Sequence, residues 1–412
     1  MTRSILVGEV RTGRRIATIP VSDASWSLIK GGTGTVSADI PLGAQEFKER
    51  EHYWSGLFPG LTIYPSLSTY PSAATSTWRI GEGIQREFLT SLDPARCFMA
   101  AIDGDTVLEA GPIWPHDIPA GSNVLTVKAD GLRSIFDARR VMGVIDSGYA
   151  AWGVTYKAMS LGTIAKRLVQ LSLGQAGGNL PIVLPNDVLA IDDDDHRRTY
   201  KGSELASVND RLKLLSGVLN GPDIEFRPRF TTDHQGIEWV MRTGTGADPM
   251  LHQPGADHVW DMRGNRGPLQ GLAVSRDGGG MATRSWATGN DADLGMLMAR
   301  VDDPDLTADG YPLLEIAESG STVESQATVD GWAAGKAAGA ARPTMNISAS
   351  IRTDIPGAER VWPGDFGLLY PPAGHYLALL RPDSPYRVRV ASMSGKLNDW
   401  AAMKFQPLME AR

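Results

Sequence analysis

One cysteine in 412 residues leaves nothing for a disulfide framework and no thiolate set for a zinc site. No run of 18 apolar residues occurs, which excludes a membrane-spanning helix. No basic run occurs either. Forty Lys and Arg stand against 47 Asp and Glu, a net −7, so specific nucleic-acid recognition has little to work with. The N-terminal stretch from Met1 to Val10 has an apolar core too short for a secretory signal. The chain is therefore expected to be made and kept, at least at first, in a reducing cytoplasm.

Catalytic signatures are missing as well. There is no G-x-S-x-G elbow and no H-E-x-x-H pair. Residues 331–337 brush against a P-loop, but three residues instead of four separate Gly331 from Gly335. Ala337 also stands where a Mg²⁺-binding hydroxyl is required. Gly32-Thr33-Gly34 lies in a hairpin turn, not between a strand and a helix, so it is no dinucleotide loop. The expectation is a protein without enzymatic activity and without a cofactor.

What is present is turn material and core material together. The chain has 46 glycines and 26 prolines without a three-residue period, which rules out collagen. It has 11 tryptophans and 42% apolar residues, enough for sizeable cores and too many for a disordered chain. Its length suggests two to four domains.

The first 40 residues read as a meander of short strands. Trp26 and Leu28 fall on one face, and Val36, Ala38 and Ile40 on another. Residues 45–77 are an irregular insertion, a surface loop or a contact arm. Strands resume at 96–114, with a hairpin at Asp103-Gly104, and at 123–129. The middle differs. Leu161, Ile164, Leu168 and Leu171 mark a helix behind a Ser160 cap, and a second helix is expected over 203–219. Strands follow at 224–230 and 237–242. In the last third, 272–276 and 282–288 read as a loose hairpin and 289–312 as an acidic loop. A helix is expected over 322–341, then strands at 344–353, 366–370, 376–379, 386–393 and 400–408.

The fold class is mainly β with an α+β middle. The expected division is a first β-barrel domain over 1–145, an α+β domain over 146–258, and a second β-barrel domain over 259–412. The 322–341 helix is expected to pack on the second barrel, with a discontinuous second barrel as the alternative arrangement.

Few residues offer themselves as sites. Asp192, Asp193, Asp194 and Asp195, next to His196, could hold a divalent cation, although neighbouring side chains on an extended chain point alternately away. The bland alternative is a solvated acidic loop. His252, Asp257 and His258 could be metal ligands or an acid–base group, or simply a polar linker. Cys97, beside Phe98 and Met99, reads as a buried inert thiol. Gly331, Gly335 and Gly339 recur every fourth residue among alanines. That smooth stripe is expected to pack closely on another element or a neighbouring subunit, since three glycines cost roughly 2–3 kcal/mol of helix propensity relative to alanine.

Three segments together resemble a known family. The opening Val7-Gly8-Glu9-Val10 … Gly13 … Ile19-Pro20 … Ser25-Trp26-Ser27 … Gly34 … Ile40-Pro41 resembles the minor tail proteins of siphophages of actinobacteria. So does Asp103-Gly104 … Gly111-Pro112-Ile113-Trp114 … Leu125-Thr126-Val127 … Gly131-Leu132 … Arg139-Arg140. The helix before Pro343, and the turn Val361-Trp362-Pro363-Gly364-Asp365, look like the last barrel of the tail-hub, or tail-associated, family. The resemblance covers most of the chain.

It implies a homotrimeric hub at the tip of a long non-contractile tail. Two similar barrels per subunit would give a six-barrel ring, matching a threefold tip to a sixfold tube. The implied partners are a distal tail protein ring, the tape measure protein and other minor tail or receptor-binding proteins. DNA would pass through without specific binding. The implied location is the virion tail tip, after assembly in the host cytoplasm. This sequence departs from the family in its 45–77 insertion and carries no appended peptidoglycan hydrolase. The other reading is a receptor- or glycan-binding tail-tip module, suggested by the aromatic content. Against it, Trp26, Trp78, Trp239 and Trp286 sit on apparent strands.

Overall fold

Alternation of apolar residues decides the first strands. A computed structural model of the chain describes residues 3–19, 21–41, 92–122, 124–185, 197–218, 220–264, 267–292, 295–320, 323, 325–355, 361–382 and 384–408. Its first strands are β1 (Arg3–Glu9), β2 (Arg15–Ile19), β3 (Asp23–Ile29) and β4 (Thr35–Pro41). On β3 the side chains of Ala24, Trp26 and Leu28 are buried, and on β4 those of Val36, Ala38 and Ile40, each set on one face as the period of two requires. Then come β5 (Cys97–Asp103), β6 (Thr106–Asp117) and β7 (Val124–Asp130). Gly104, at φ +58°, takes the first central place of the β5–β6 turn, which makes it the kind of primed turn that matches strand twist. β6 pairs with β5 along its first half and with β7 along its second, with register shifts in both ladders. Gly111 sits at this bend, where a Cβ would come within 1.8 Å of the Asp130 carbonyl oxygen, so only glycine lets the strands approach.

The middle unit contains β8 (Gly153–Tyr156), α1 (Leu161–Leu173), β9 (Ile182–Val183), β10 (Arg198–Lys201), α2 (Val208–Ser216), β11 (Ile224–Phe230) and β12 (Ile237–Thr243). The Ser160 hydroxyl accepts from the Thr163 N–H at 3.1 Å and starts α1 where the sequence placed it. The second helix is shorter than expected. Ser207 caps it by accepting from the Asp210 N–H at 3.0 Å, and Leu205, which fitted the helical spacing, is exposed at φ +46°. Ile164, Leu168, Leu212 and Leu215 form the centre of this unit's own core.

The rest comprises β13 (His258–Asp261), β14 (Leu269–Asp277), β15 (Arg284–Ala292), β16 (Gly295–Asp302), α3 (Pro304–Ala308), β17 (Glu315–Ser319), α4 (Gln326–Ala340), β18 (Thr344–Arg352), β19 (Phe366–Tyr370), α5 (Tyr376–Leu380), β20 (Tyr386–Lys396) and β21 (Trp400–Pro407). Three expectations fail here. Residues 289–312 are not a loop but hold the end of β15 and the whole of β16 and α3. β14 forms no hairpin with β15; it pairs with β18, and β15 pairs with β16 and β17. Residues 376–379 are helical, because the His375 ring nitrogen Nδ1 accepts from the Leu377 N–H at 3.2 Å and caps a turn of helix.

The two β sets are one sheet. Its strand order is β14-β18-β21-β20-β3-β4-β7-β6-β5-β1-β2, with β19 and β13 continuing from β20, 13 strands in all. The seam is the antiparallel pairing of residues 392–396 with residues 25–29. The described strands close no barrel, because β20 occupies the edge of β3 that a closing strand would need. A single apolar cluster runs from Ile5 through Trp26 and Val127 to Ile351, Met403 and Phe405. On the opposite face of β1, β5 and β6, Phe98 meets Trp239 edge-on at 5.6 Å, and the Trp239 indole donates to the Ala110 carbonyl at 3.0 Å. That contact docks the middle unit. α4 lies on the separate sheet β16-β15-β17 rather than on the large one, held by Val329, Trp332 and Ala333.

Candidate interaction surfaces

His252, Asp257 and His258 do not converge. His252 stacks on Phe366 at 4.5 Å and reaches Asp248 at 3.2 Å. Asp257 pairs with Arg387 at 3.1 Å, and His258 with Asp365 at 3.2 Å. Each serves a separate local contact. Among the described residues no three His, Cys, Asp or Glu side chains group to hold a metal ion. Asp192 to Asp195 with His196, and the 45–77 insertion, lie outside the described residues. Cys97 is buried, and burial pushes its thiol up, away from the reactive thiolate.

The glycine stripe of α4 turns away from the sheet beneath it. Gly331 and Gly335 are half-buried and Gly339 is exposed. A Cβ at Gly331 or Gly339 would meet nothing within 4 Å. Among the described residues the close packing expected of the stripe is absent; the apolar side chains at 329, 332 and 333 hold the helix instead.

Two polar junctions tie the three parts together, and neither was visible in the sequence. Arg3 bonds Asp103 at 2.9 Å and the Lys396 carbonyl at 3.1 Å, and also reaches the Asn398 carbonyl and the Thr353 hydroxyl. It thus ties β1 and β5 to the β20–β21 turn. At the second junction, Asp223 accepts from Arg389 of β20, from Lys30 of the β3–β4 turn at 3.3 Å, and from the Leu251 N–H at 2.9 Å. Burial opposes the Asp223 charge, but the Arg389 hydrogen bond and the Lys30 charge outweigh it and hold the carboxyl below its ordinary value.

Glu109 on β6 is the opposite case. Burial pushes its carboxyl up to about 8, and among the described residues the group that favours its charge is the Ala110 N–H, 2.9 Å away.

A cleft of about 360 Å³ opens between the middle unit and α4. Among the described residues, four cationic ones, Arg197, Arg198, Lys201 and Arg211, line it against one acidic one, Glu204. Arg211 pairs with Glu204 and lies over the Tyr200 ring. Leu214, Val218 and Trp332 give it an apolar floor. The abrupt change from four aspartates to Arg197-Arg198 was the sequence signal for it. No pair of groups here is arranged as nucleophile and base; the arrangement suits binding of an anionic partner.

Several tryptophans are committed to packing. Trp26, Trp239, Trp260 and Trp332 are buried, and the Arg227 guanidinium covers the Trp362 ring at 3.9 Å.

No protein-family model and no curated protein matches this chain. Solved structures do. The chain is similar to the 43 kDa tail protein of prophage MuSo2 from Shewanella oneidensis, with a TM-score of 0.51 at 8% identity over 98% of this chain and 97% of that one. It is also similar to the tail protein from Neisseria meningitidis MC58, with a TM-score of 0.50 at 11% identity over 98% and 97% of the two chains. At such identities the likeness is one of fold, and it spans both chains end to end.

Proposed function

We propose that this protein is a structural tail protein of a phage or prophage, and that three copies form the hub at the tip of a long non-contractile tail. The observation that carries this reading is the end-to-end match in fold to prophage tail proteins, with almost nothing left over on either chain. The seam between β3 and β20 supports it, since it holds two β sets edge to edge in one subunit. Three such subunits would offer six β units to a sixfold tube and distal ring above, and a threefold face to receptor-binding parts below. The role is one of assembly, with no catalysis and no cofactor.

The ring would surround or close the exit channel for DNA. Three copies at −7 each carry −21, and an acidic lumen would repel DNA and keep it from sticking during ejection. The test is mass in solution by light scattering, followed by imaging of particles carrying labelled protein. A trimer, and label at the tail tip, are the expected results. Label distributed along the tube or at the head, or a basic wall on the ring's axis, would refute the hub.

A further inference from the structure

We propose that the cleft between β10 and α4 is a docking site for an extended acidic peptide segment of another protein, which adds as a strand to the free edge of β10. The cleft belongs to one chain, so the proposal stands whether or not three chains assemble into a hub.

The strand edge is the first observation. β10 pairs with β8 alone, so among the described residues no strand lies on its other side. The cleft is lined by Arg197, Arg198, Thr199, Tyr200 and Lys201 in succession. A strand that presented a face would contribute only every second residue; five in a row mean that the cleft runs along its edge. The pairing fixes which groups point there. The Gly202 N–H donates to the Trp152 carbonyl at 2.7 Å, so by alternation Tyr200 and Arg198 bond to β8, and Thr199 turns its N–H and C=O outward. The Thr199 and Thr155 hydroxyls, 2.9 Å apart, agree with a close, non-bonded pair at that position.

Charge is the second observation. The whole chain is acidic, yet among the described residues this cleft gathers four cations around one carboxylate. Arg198 is half-buried, and the one hydrogen bond its guanidinium shows among the described residues goes to the Arg197 carbonyl at 2.8 Å. Burial lowers its pKa, and among the described residues no carboxylate is among the causes that act on it. An acidic strand laid along this edge would bring a carboxylate to this guanidinium. The apolar floor of Leu214, Val218 and Trp332 then takes the alternate side chains of the same strand. An edge for the backbone, cations for acidic side chains and a floor for apolar ones are the three parts of recognition by strand addition.

The test is fluorescence anisotropy of the full chain with a labelled hexapeptide, Glu-Val-Glu-Leu-Glu-Val, beside Lys-Val-Lys-Leu-Lys-Val. The acidic peptide should bind saturably and the basic one should not. Arg198→Gln should weaken binding about tenfold or more, the loss expected for a charge-assisted bond. Thr199→Pro should abolish binding with the β8–β10 pairing intact, because that N–H faces away from β8. Should this variant fold poorly, the acidic peptide N-methylated on alternate residues makes the same test on the unaltered protein, and should not bind. Equal binding of both peptides, unchanged binding with Thr199→Pro or the methylated peptide, or full displacement by inorganic phosphate would each reduce the cleft to a plain anion site and overturn the proposal. Loss of self-association in Thr199→Pro without added peptide would assign the edge to a second copy and overturn it equally.

Discussion

Replacing Glu109 by glutamine should flatten a large part of the protein's pH response. Glu109 is 7% exposed, and Gly34 and Gly131 crowd its carboxyl so closely that a Cβ at Gly34 would fall 1.8 Å from Oε2. In the fold the acid titrates at about 8, against 4.5 for its unperturbed value. A group whose pKa is raised by folding adds stability that is fully present below the unfolded value and is lost as pH climbs through the folded one. The window is therefore pH 4.5 to 8. At about 1.4 kcal/mol per unit, the wild type should lose about 4–5 kcal/mol across it. That is a large share of the 5–15 kcal/mol, roughly, that holds a domain folded.

Glutamine is the neutral isostere and has nothing to titrate. Urea unfolding at intervals from pH 4.5 to 9, on wild type and Glu109→Gln, gives the comparison directly. The two should be close in stability near pH 5, and the variant should gain on the wild type by about 1.4 kcal/mol per unit up to pH 8, then run parallel. Parallel curves throughout would mean that the carboxylate is ionised in the fold and compensated, and would refute the reasoning.

Asp223→Ala should cost about 3–5 kcal/mol in denaturant unfolding, because it strands the buried Arg389 guanidinium. The same junction should fail in acid. The depressed pKa of Asp223 gives stability that is present above the unfolded value and lost as pH falls through the folded one. Gly331→Ala and Gly339→Ala meet open space within the chain, so each should raise thermal stability by about 0.5–1 kcal/mol. If the stripe is an interface between subunits, the same variants should weaken self-association by light scattering. Ser160→Ala should destabilise the middle unit by about 1 kcal/mol, measured by hydrogen exchange along α1.

What the sequence disclosed is what short-range periodicity can carry. The alternation of Ala24, Trp26 and Leu28, the helical spacing from Leu161 to Leu171 and the Ser160 cap all express local rules, and the structure obeys them. The failures share a cause. Leu205 kept the helical spacing but precedes the Ser207 cap, and a spacing count cannot see where hydrogen bonding starts. α5 is a helix of five residues, too short for any period to distinguish it from a strand. β16 was mistaken for an acidic loop because its exposed face carries Met296 and Met298 beside charged residues, so its alternation has little contrast. The candidate surfaces were less legible still. Asp223, Lys30 and Arg389 come from three distant segments, and only the finished sheet brings them together. Glu109 looks like any strand glutamate until Gly34 and Gly131 close over it.

The seam between β3 and β20 also dictates when the sheet can be completed. Its partners lie 370 residues apart along the chain, as the bond from the Trp26 indole to the Lys396 carbonyl marks. During synthesis β3 and β4 precede β20 by the whole stretch that separates them, and the outer edge of β3 waits for that stretch to be made. Throughout that interval it is a bare edge with apolar side chains on one face, the kind of surface that pairs with the wrong neighbour. A chain cut short anywhere before β20 keeps that edge permanently. The seam therefore ties completion of the first sheet to translation through β20, and copies truncated before β20 are expected to be more prone to aggregation and proteolysis than the full sheet.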